Sequence, residues 1–411
     1  MNQSIPKSLR LQIGIFGRTN AGKSSFLNTV TSQDVSIVSP LPGTTTDVVE
    51  KVMEFRPVGA VVFLDTAGID DSSQLSSDRI QRTSALFDRA DVFVVITENE
   101  IWGEYEEGLA KKALSKKAAL IAVVNKSDIR PLSDSFREKL LSVTPNVMSC
   151  SCTGSASAET VKNAFREVLT ACVPEDFLSP RAIVNDLIPQ NGLAVLVVPV
   201  DTGAPKGRLI MPQAQTIRDI LDGDSTVIIV KESQYSGALS MLNRKPDIVI
   251  CDSQVVESVI EKTPADVPCT TFSVLFVRLK GDLEEAARGA LYINKLKAGD
   301  KVLIAEACTH HAAEDDIGRV KIPRWLKQYT GIDLQIDTVS GRDYPENLER
   351  YSLIIHCGAC TLTRREMLGR NIKAVEKNVP ITNYGLAISC FKGVLERVLE
   401  PFKLKIIPIN K

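Results

Sequence analysis

From Leu11 to about Cys172, short β-branched runs alternate with longer stretches of helical period, the pattern that a parallel sheet with crossover helices imposes. Leu11–Phe16, Val61–Asp65, Val92–Thr97 and Leu120–Asn125 are predicted strands, and Ser25–Val30 opens the first predicted helix. The segment Val173–Pro180, VPEDFLSP, has neither period and carries two prolines, which predicts a linker. A second βα series follows, with predicted strands Ala194–Val200, Thr226–Lys231 and Asp247–Asp252 and predicted helices near Gln213–Leu221, Tyr235–Leu242 and Gln254–Glu261. Thr263–Thr270, TPADVPCT, reads as the next boundary. Beyond it the pattern predicts helices Leu283–Lys295, Pro323–Tyr329, Arg364–Lys377 and Leu386–Leu399 and strands Lys301–Ala307, Leu334–Thr338 and Leu353–His356. The expected architecture is α/β throughout, in three domains: residues 1–173, a small unit at 181–264 and a third at 271–411.

Composition narrows the partners. Lys plus Arg number 49 against 50 Asp plus Glu, so the net charge of −1 creates no global field for nucleic acid or an anionic membrane. The longest uncharged apolar run, Leu193–Val200, is strand-sized and no membrane span. The opening residues MNQSIPKSLR lack the apolar core of an export signal, so a reducing cytoplasm is the expected compartment. Nine cysteines and only three histidines in that setting point to metal or redox chemistry more than to disulfides.

The first predicted strand runs into Gly17-Arg18-Thr19-Asn20-Ala21-Gly22-Lys23-Ser24, which fits G-x-x-x-x-G-K-[ST] and precedes a helix beginning near Ser25. Glycines let such a loop turn its N–H groups inward around phosphates, Lys23 reaches the β- and γ-phosphates, and the Ser24 hydroxyl ligates Mg²⁺. Asp65-Thr66-Ala67-Gly68 ends another strand, where Asp65 can hold Mg²⁺ through water and the Gly68 N–H can meet the γ-phosphate. Asn125-Lys126-Ser127-Asp128 ends a third. A carboxylate there accepts from guanine N1–H and N2–H₂, which adenine cannot offer, so Asp128 selects GTP over ATP. These residues resemble the translation-factor-like GTPases, and the resemblance covers most of Leu11–Cys172. It implies that Pro42–Asp47 is a switch loop, with Thr45 as Mg²⁺ ligand and Thr44 as its rival. The second base-contacting loop is either Ser149-Cys150 or Ser151-Cys152. Ile69 follows the DTAG motif and cannot orient an attacking water. Asn20 stands where a subgroup of such GTPases uses Asn to help bind K⁺, a cation able to neutralise developing charge, so K⁺-stimulated hydrolysis is expected. The competing reading is that Asn20 only tolerates unusual backbone angles.

All three histidines lie in the last block, near three of the nine cysteines. Cys308-Thr309-His310-His311 follows one predicted strand and His356-Cys357-Gly358-Ala359-Cys360 follows another. If those strands are parallel neighbours, both clusters emerge at one carboxyl edge. A tetrahedral Cys₃His zinc site and an iron–sulfur cluster both satisfy this donor set. The remaining cysteines read as small buried hydrophobes.

The order of blocks and motifs resembles the [FeFe]-hydrogenase maturation GTPase family. The resemblance implies a scaffold, carrier or chaperone that binds a [4Fe-4S] cluster through Cys308, Cys357 and Cys360 and delivers a diiron precursor to the apo-[FeFe]-hydrogenase. Two radical-SAM maturases are the further implied partners, and the middle domain is the implied dimerisation domain of a homodimer or larger assembly. His310 fits the family's C-x-H spacing, His356 abuts Cys357, and Glu306, Glu314 and Asp315 are rivals for the open iron. Two other readings stand beside this one: a tRNA-modification or ribosome-assembly GTPase with structural zinc, and a redox sensor in which Cys357 and Cys360 form a disulfide.

Overall fold

A computed structural model describes residues 9–31, 49–65, 86–152, 158–178, 181–199, 209–307, 316–341 and 344–404. The chain forms two compact units, Met1–Pro180 and Arg181–Lys411.

The first unit is built on a six-stranded sheet in the order β2-β3-β1-β4-β5-β6. Its strands are β1 Leu11–Gly17, β2 Val49–Phe55, β3 Gly59–Asp65, β4 Val92–Glu98, β5 Ala119–Asn125 and β6 Val147–Ser149. Only β2 runs antiparallel, along β3. Helices cover both faces, so β1 is buried at every position and reads as a continuous apolar run. On one face Phe26 of helix Lys23–Thr31 and Phe165 of helix Ala158–Cys172 meet edge-on at 5.4 Å, and on the other Phe16 and Phe93 stack at 4.9 Å. The chain leaves β1 toward β3 and later returns on its other side as β4, so a crevice opens beyond the carboxyl end of β1.

The second unit holds two four-stranded sheets. In β10-β9-β7-β8 the strands are β7 Leu193–Val197, β8 Thr226–Val230, β9 Ile248–Cys251 and β10 Cys269–Thr271; in β12-β11-β13-β14 they are β11 Lys301–Ala305, β12 Gln335–Val339, β13 Leu353–His356 and β14 Ile381–Asn383. All are parallel. The boundary expected at Thr263–Thr270 is not a break in packing. The prolines of that segment end helix Val256–Lys262, but the chain rejoins the sheet at once as β10, and the Thr270 hydroxyl donates to Val398 O at 2.9 Å. One core runs across both sheets, joining Val195 and Val249 to Val302 and Ile355 through Ala287, Ala290 and Leu386. The last predicted helix is two, Tyr384–Phe391 and Leu395–Leu399, separated at Gly393, whose φ of +69° is left-handed.

Candidate functional site

In the first unit those expected nucleotide residues that the structure describes gather at the carboxyl edge of the sheet. Beyond β1 the chain passes through Asn20 (φ +65°) and Gly22 (φ +92°) before helix Lys23–Thr31 begins. Gly22 has no room for a side chain, because a Cβ would lie 2.1 Å from Asn125 Nδ2. Lys23 Nζ donates to Gly17 O at 2.7 Å and Arg18 O at 3.0 Å, which holds the ammonium inside the loop. Ala21 is buried, while Ser24 and Ser25 are exposed on the first helical turn. Asn125 Nδ2 donates to Ala21 O at 3.0 Å, and Ser127 N donates to Cys150 O at 3.1 Å. The NKSD motif, the P-loop and the turn after β6 are thereby one assembly. Asp65 closes β3 opposite Ile15, Lys126 Nζ donates to Glu98 Oε1 at 2.6 Å, and Asp128 is exposed.

Of the two candidates for the second guanine loop, Ser149 is exposed whereas the Cys150 side chain is buried and faces Asn125 Oδ1 at 3.7 Å. Its hydrogen bond to Cys152, together with burial, pushes the Cys150 thiol well up, so it stays protonated. Thr44, Thr45, Gly68 and Ile69 lie outside the described residues. One feature escaped sequence reasoning: Arg18 Nε and Nη2 reach the carboxylate of Glu106 at 2.7 and 3.0 Å. Glu106 also accepts from Gly103 N at 2.9 Å at the start of helix Glu104–Ser115. The Glu three positions after a Gly at a helix start was the one available signal, and it does not name Arg18.

In the second unit β11 and β13 are parallel neighbours, with Ala305 opposite His356. Strand β12 flanks β11 and β14 flanks β13, so the chain diverges between them. Two of the expected thiols, Cys357 and Cys360, follow β13 at that switch point. Cys357 N donates to Ala305 O at 2.9 Å, Cys357 Sγ accepts from Ala307 N at 3.0 Å, and the Thr361 hydroxyl donates to Ala307 O at 3.3 Å. The Cys357–Cys360 loop is thus laced to the strand end that leads into Cys308. Amide bonds to sulfur favour the thiolate that iron or zinc requires, so Cys357 fits either group. Cys308, His310, His311, Glu314 and Asp315 lie outside the described residues, among which no group of three metal-ligating side chains is assembled.

Two of the candidate ligands, His356 and the rival Glu306, have other partners in this structure. His356 is fully buried; its Nδ1 donates to Cys357 O at 2.9 Å and its Nε2 accepts from Arg370 Nη1 at 2.8 Å. Burial, with the Arg370 charge, pulls its pKa down to about 3 against the opposing bond to Cys357. Neutral and engaged at both nitrogens, His356 braces the loop. Glu306 is likewise committed, because its Oε2 accepts from Arg319 Nε at 3.2 Å, Arg319 Nη2 at 3.1 Å and Ser340 Oγ at 3.1 Å. Arg319 belongs to a π-helical turn, Ile317–Lys321. A second unforeseen residue is Lys280, which donates into the loop from below. Burial draws its ammonium down to about 8, opposed by Cys360, Glu366 and Cys357. Of the other cysteines, Cys251, Cys269 and Cys390 are buried and Cys152 and Cys172 half-buried.

Comparison with known proteins separates the blocks. Residues 12–126 match the 50S ribosome-binding GTPase model, 183–281 the hydrogen maturase F dimerization domain and 284–401 the hydrogen maturase F tetramerization domain. The GTPase Der of Deinococcus deserti is 34% identical over 132 residues, 32% of this chain and 30% of its own. A tRNA modification GTPase MnmE from a Synechococcus species is 42% identical over 125 residues, 29% of this chain and 26% of its own. The chain therefore spans less than a third of the length of these curated relatives. Among solved structures, the G domain of the T. maritima FeoB iron transporter is similar at 18% identity and a TM-score of 0.30, covering 39% of this chain and 98% of that one. A P-loop GTPase domain followed in order by both maturase domains is the architecture of one family, and the chain belongs to it: hydrogen maturase F.

Proposed function

We propose that the protein is a GTP-hydrolysing scaffold that binds a [4Fe-4S] cluster through Cys308, Cys357 and Cys360 and assembles and delivers the diiron precursor of the [FeFe]-hydrogenase active site. The observation that carries the reading is the placement of Cys357 and Cys360 beside the strand end leading into Cys308, at the switch point of a sheet within the matched maturase block. A bound cluster would supply an iron with an open coordination position for cargo. The chain's own part is to hold the thiol loop in shape and exclude water beneath it.

In the GTPase block, Lys23 and the P-loop amides bind phosphate, Ser24, Thr45 and Asp65 hold Mg²⁺, the Gly68 N–H meets the γ-phosphate, and Asp128 selects guanine. The products are GDP and phosphate. The two maturases and the apo-hydrogenase are the proposed partners, with residues 183–281 and 284–401 supporting dimer and tetramer contacts. Anaerobic purification with metal analysis and EPR tests the cluster. Iron and sulfide at about 4 each per chain, lost in the Cys308→Ser, Cys357→Ser and Cys360→Ser variants, is the expected result. Stoichiometric zinc, or an iron–sulfur signal surviving all three changes, overturns the reading. For Asn20, faster hydrolysis in KCl than in NaCl is expected. Equal rates leave only its left-handed backbone, φ +65°, to account for the residue.

A further inference from the structure

Helix Phe272–Lys280 ends in a lysine that is 2% exposed. Its Nζ donates to Ala359 O at 3.1 Å, Cys360 O at 3.3 Å and Leu362 O at 3.0 Å. An ammonium has three N–H donors, so the loop takes all of them. Among the described residues no carboxylate contacts it, and Glu366 adds negative potential only from further off. A buried cation without a counter-ion in contact is costly, and carbonyl dipoles with a distant carboxylate offset only part of that cost. The thiolates of a loaded cluster would add negative charge near it.

The loop is shaped to meet this lysine. Ala359 has a φ of +49°, a left-handed conformation uncommon for a residue with a side chain, and the carbonyls of Ala359 and Cys360 converge on one point. The preceding residue serves the same segment, since Leu279 O accepts from Arg364 Nε at 3.1 Å at the start of helix Arg364–Glu376. Lys280 lies within the matched dimerization segment and the thiol loop within the tetramerization segment, so this contact ties one to the other.

We propose that Lys280 is a positioning residue for the iron–sulfur site: it sets the Cys357–Cys360 loop in its ligating shape before iron arrives and fixes a positive charge against the thiol loop. This rests on the cluster reading given above. The test uses the full chain, reconstituted anaerobically with iron and sulfide, as wild type, Lys280→Met and Lys280→Arg. In Lys280→Met, iron loss to a chelator should be about 10–100-fold faster, the range found when a residue supporting a metal ligand is removed. Its midpoint in an EPR-monitored redox titration should fall, because the reduced cluster carries one more negative charge and has lost its cation. Lys280→Arg keeps the charge and should hold the wild-type midpoint while losing iron at an intermediate rate.

A Lys280→Met chain that retains iron as firmly as wild type, at an unchanged midpoint, overturns the proposal. Should that variant fail to fold, Lys280→Arg and amide exchange on the iron-free wild type decide. Slow exchange at Leu362 N, which donates to Ala359 O at 3.1 Å, is expected without iron; unprotected exchange overturns preorganisation. A wild type that takes up no iron sinks the cluster reading instead, and exchange at Leu362 still reports whether Lys280 shapes the loop.

Discussion

Glu106 is 1% exposed and still ionised at neutral pH, which ties the P-loop to a single carboxylate. Burial alone would raise its pKa, but the hydrogen bonds from Arg18 and Gly103 outweigh it and hold the value below the ordinary 4.5. A lowered folded value means that the unfolded chain takes up the proton first as pH falls. The contribution of Glu106 is therefore complete above about pH 4.5 and lost as the pH drops through its folded value. Arg18 is half-exposed and solvent screens the pair, so the contribution is on the order of 1 kcal/mol. Glu106→Gln should be less stable than wild type at pH 7 by about that amount and should converge with it as the pH falls through the lowered folded pKa of Glu106, in urea titrations that follow the first unit. A constant difference at all pH values would show that packing, not charge, is what Glu106 supplies.

Close approaches between elements set a stricter test. Helix Leu283–Tyr292 lies so near β14 that a Cβ on Gly289 would sit 2.1 Å from Ile381 O and 2.5 Å from its carbonyl carbon. Backbone cannot yield as a side chain can, so Gly289→Ala should lower stability by about 1–3 kcal/mol or more in a urea titration of the second unit. Gly369, within helix Arg364–Glu376, has nothing within 4 Å of the same position, and Gly369→Ala should raise stability by about 0.5–1 kcal/mol. Elements of this second unit were legible in the sequence where a period could develop: β7, β9, β11 and β13 are apolar runs bounded by turns, and each lies within a few residues of its expected span. The strands β6, β10 and β14, three residues each, are too short for any period. Helix Phe272–Lys280 has a different cause. It buries Phe272, Val274, Leu275 and Phe276, and a helix apolar on most sides carries no stripe that marks it as one.

At the scale of the molecule, contiguous chemistry was readable and distant support was not. The P-loop, NKSD and the C-x-x-C pair are runs of adjacent residues, and all three lie at the carboxyl ends of parallel strands. Lys280 is 79 residues from Ala359 and Arg18 is 88 from Glu106, separations that no local pattern encodes. His356 and Arg370 show the same limit at 14 residues: adjacency to Cys357 suggested a ligand, and only the fold supplied the arginine that occupies its nitrogen. The division into two units makes a last prediction. Each unit has its own sheets and core, so each is expected to unfold as its own transition in calorimetry of the iron-loaded chain. GDP with Mg²⁺ binds only the folded first unit and should raise that transition alone, by about 2.7 kcal/mol at a ligand concentration 100 times its dissociation constant. Iron chelation, or Cys357→Ser, should lower the other transition and leave the first in place. Were GDP instead to raise both transitions together, the nucleotide and thiol sites would be thermodynamically linked, and by reciprocity iron loading would have to tighten GDP binding by the same factor. A nucleotide titration of iron-free and iron-loaded protein measures that factor directly, and a value of one returns the two sites to independence.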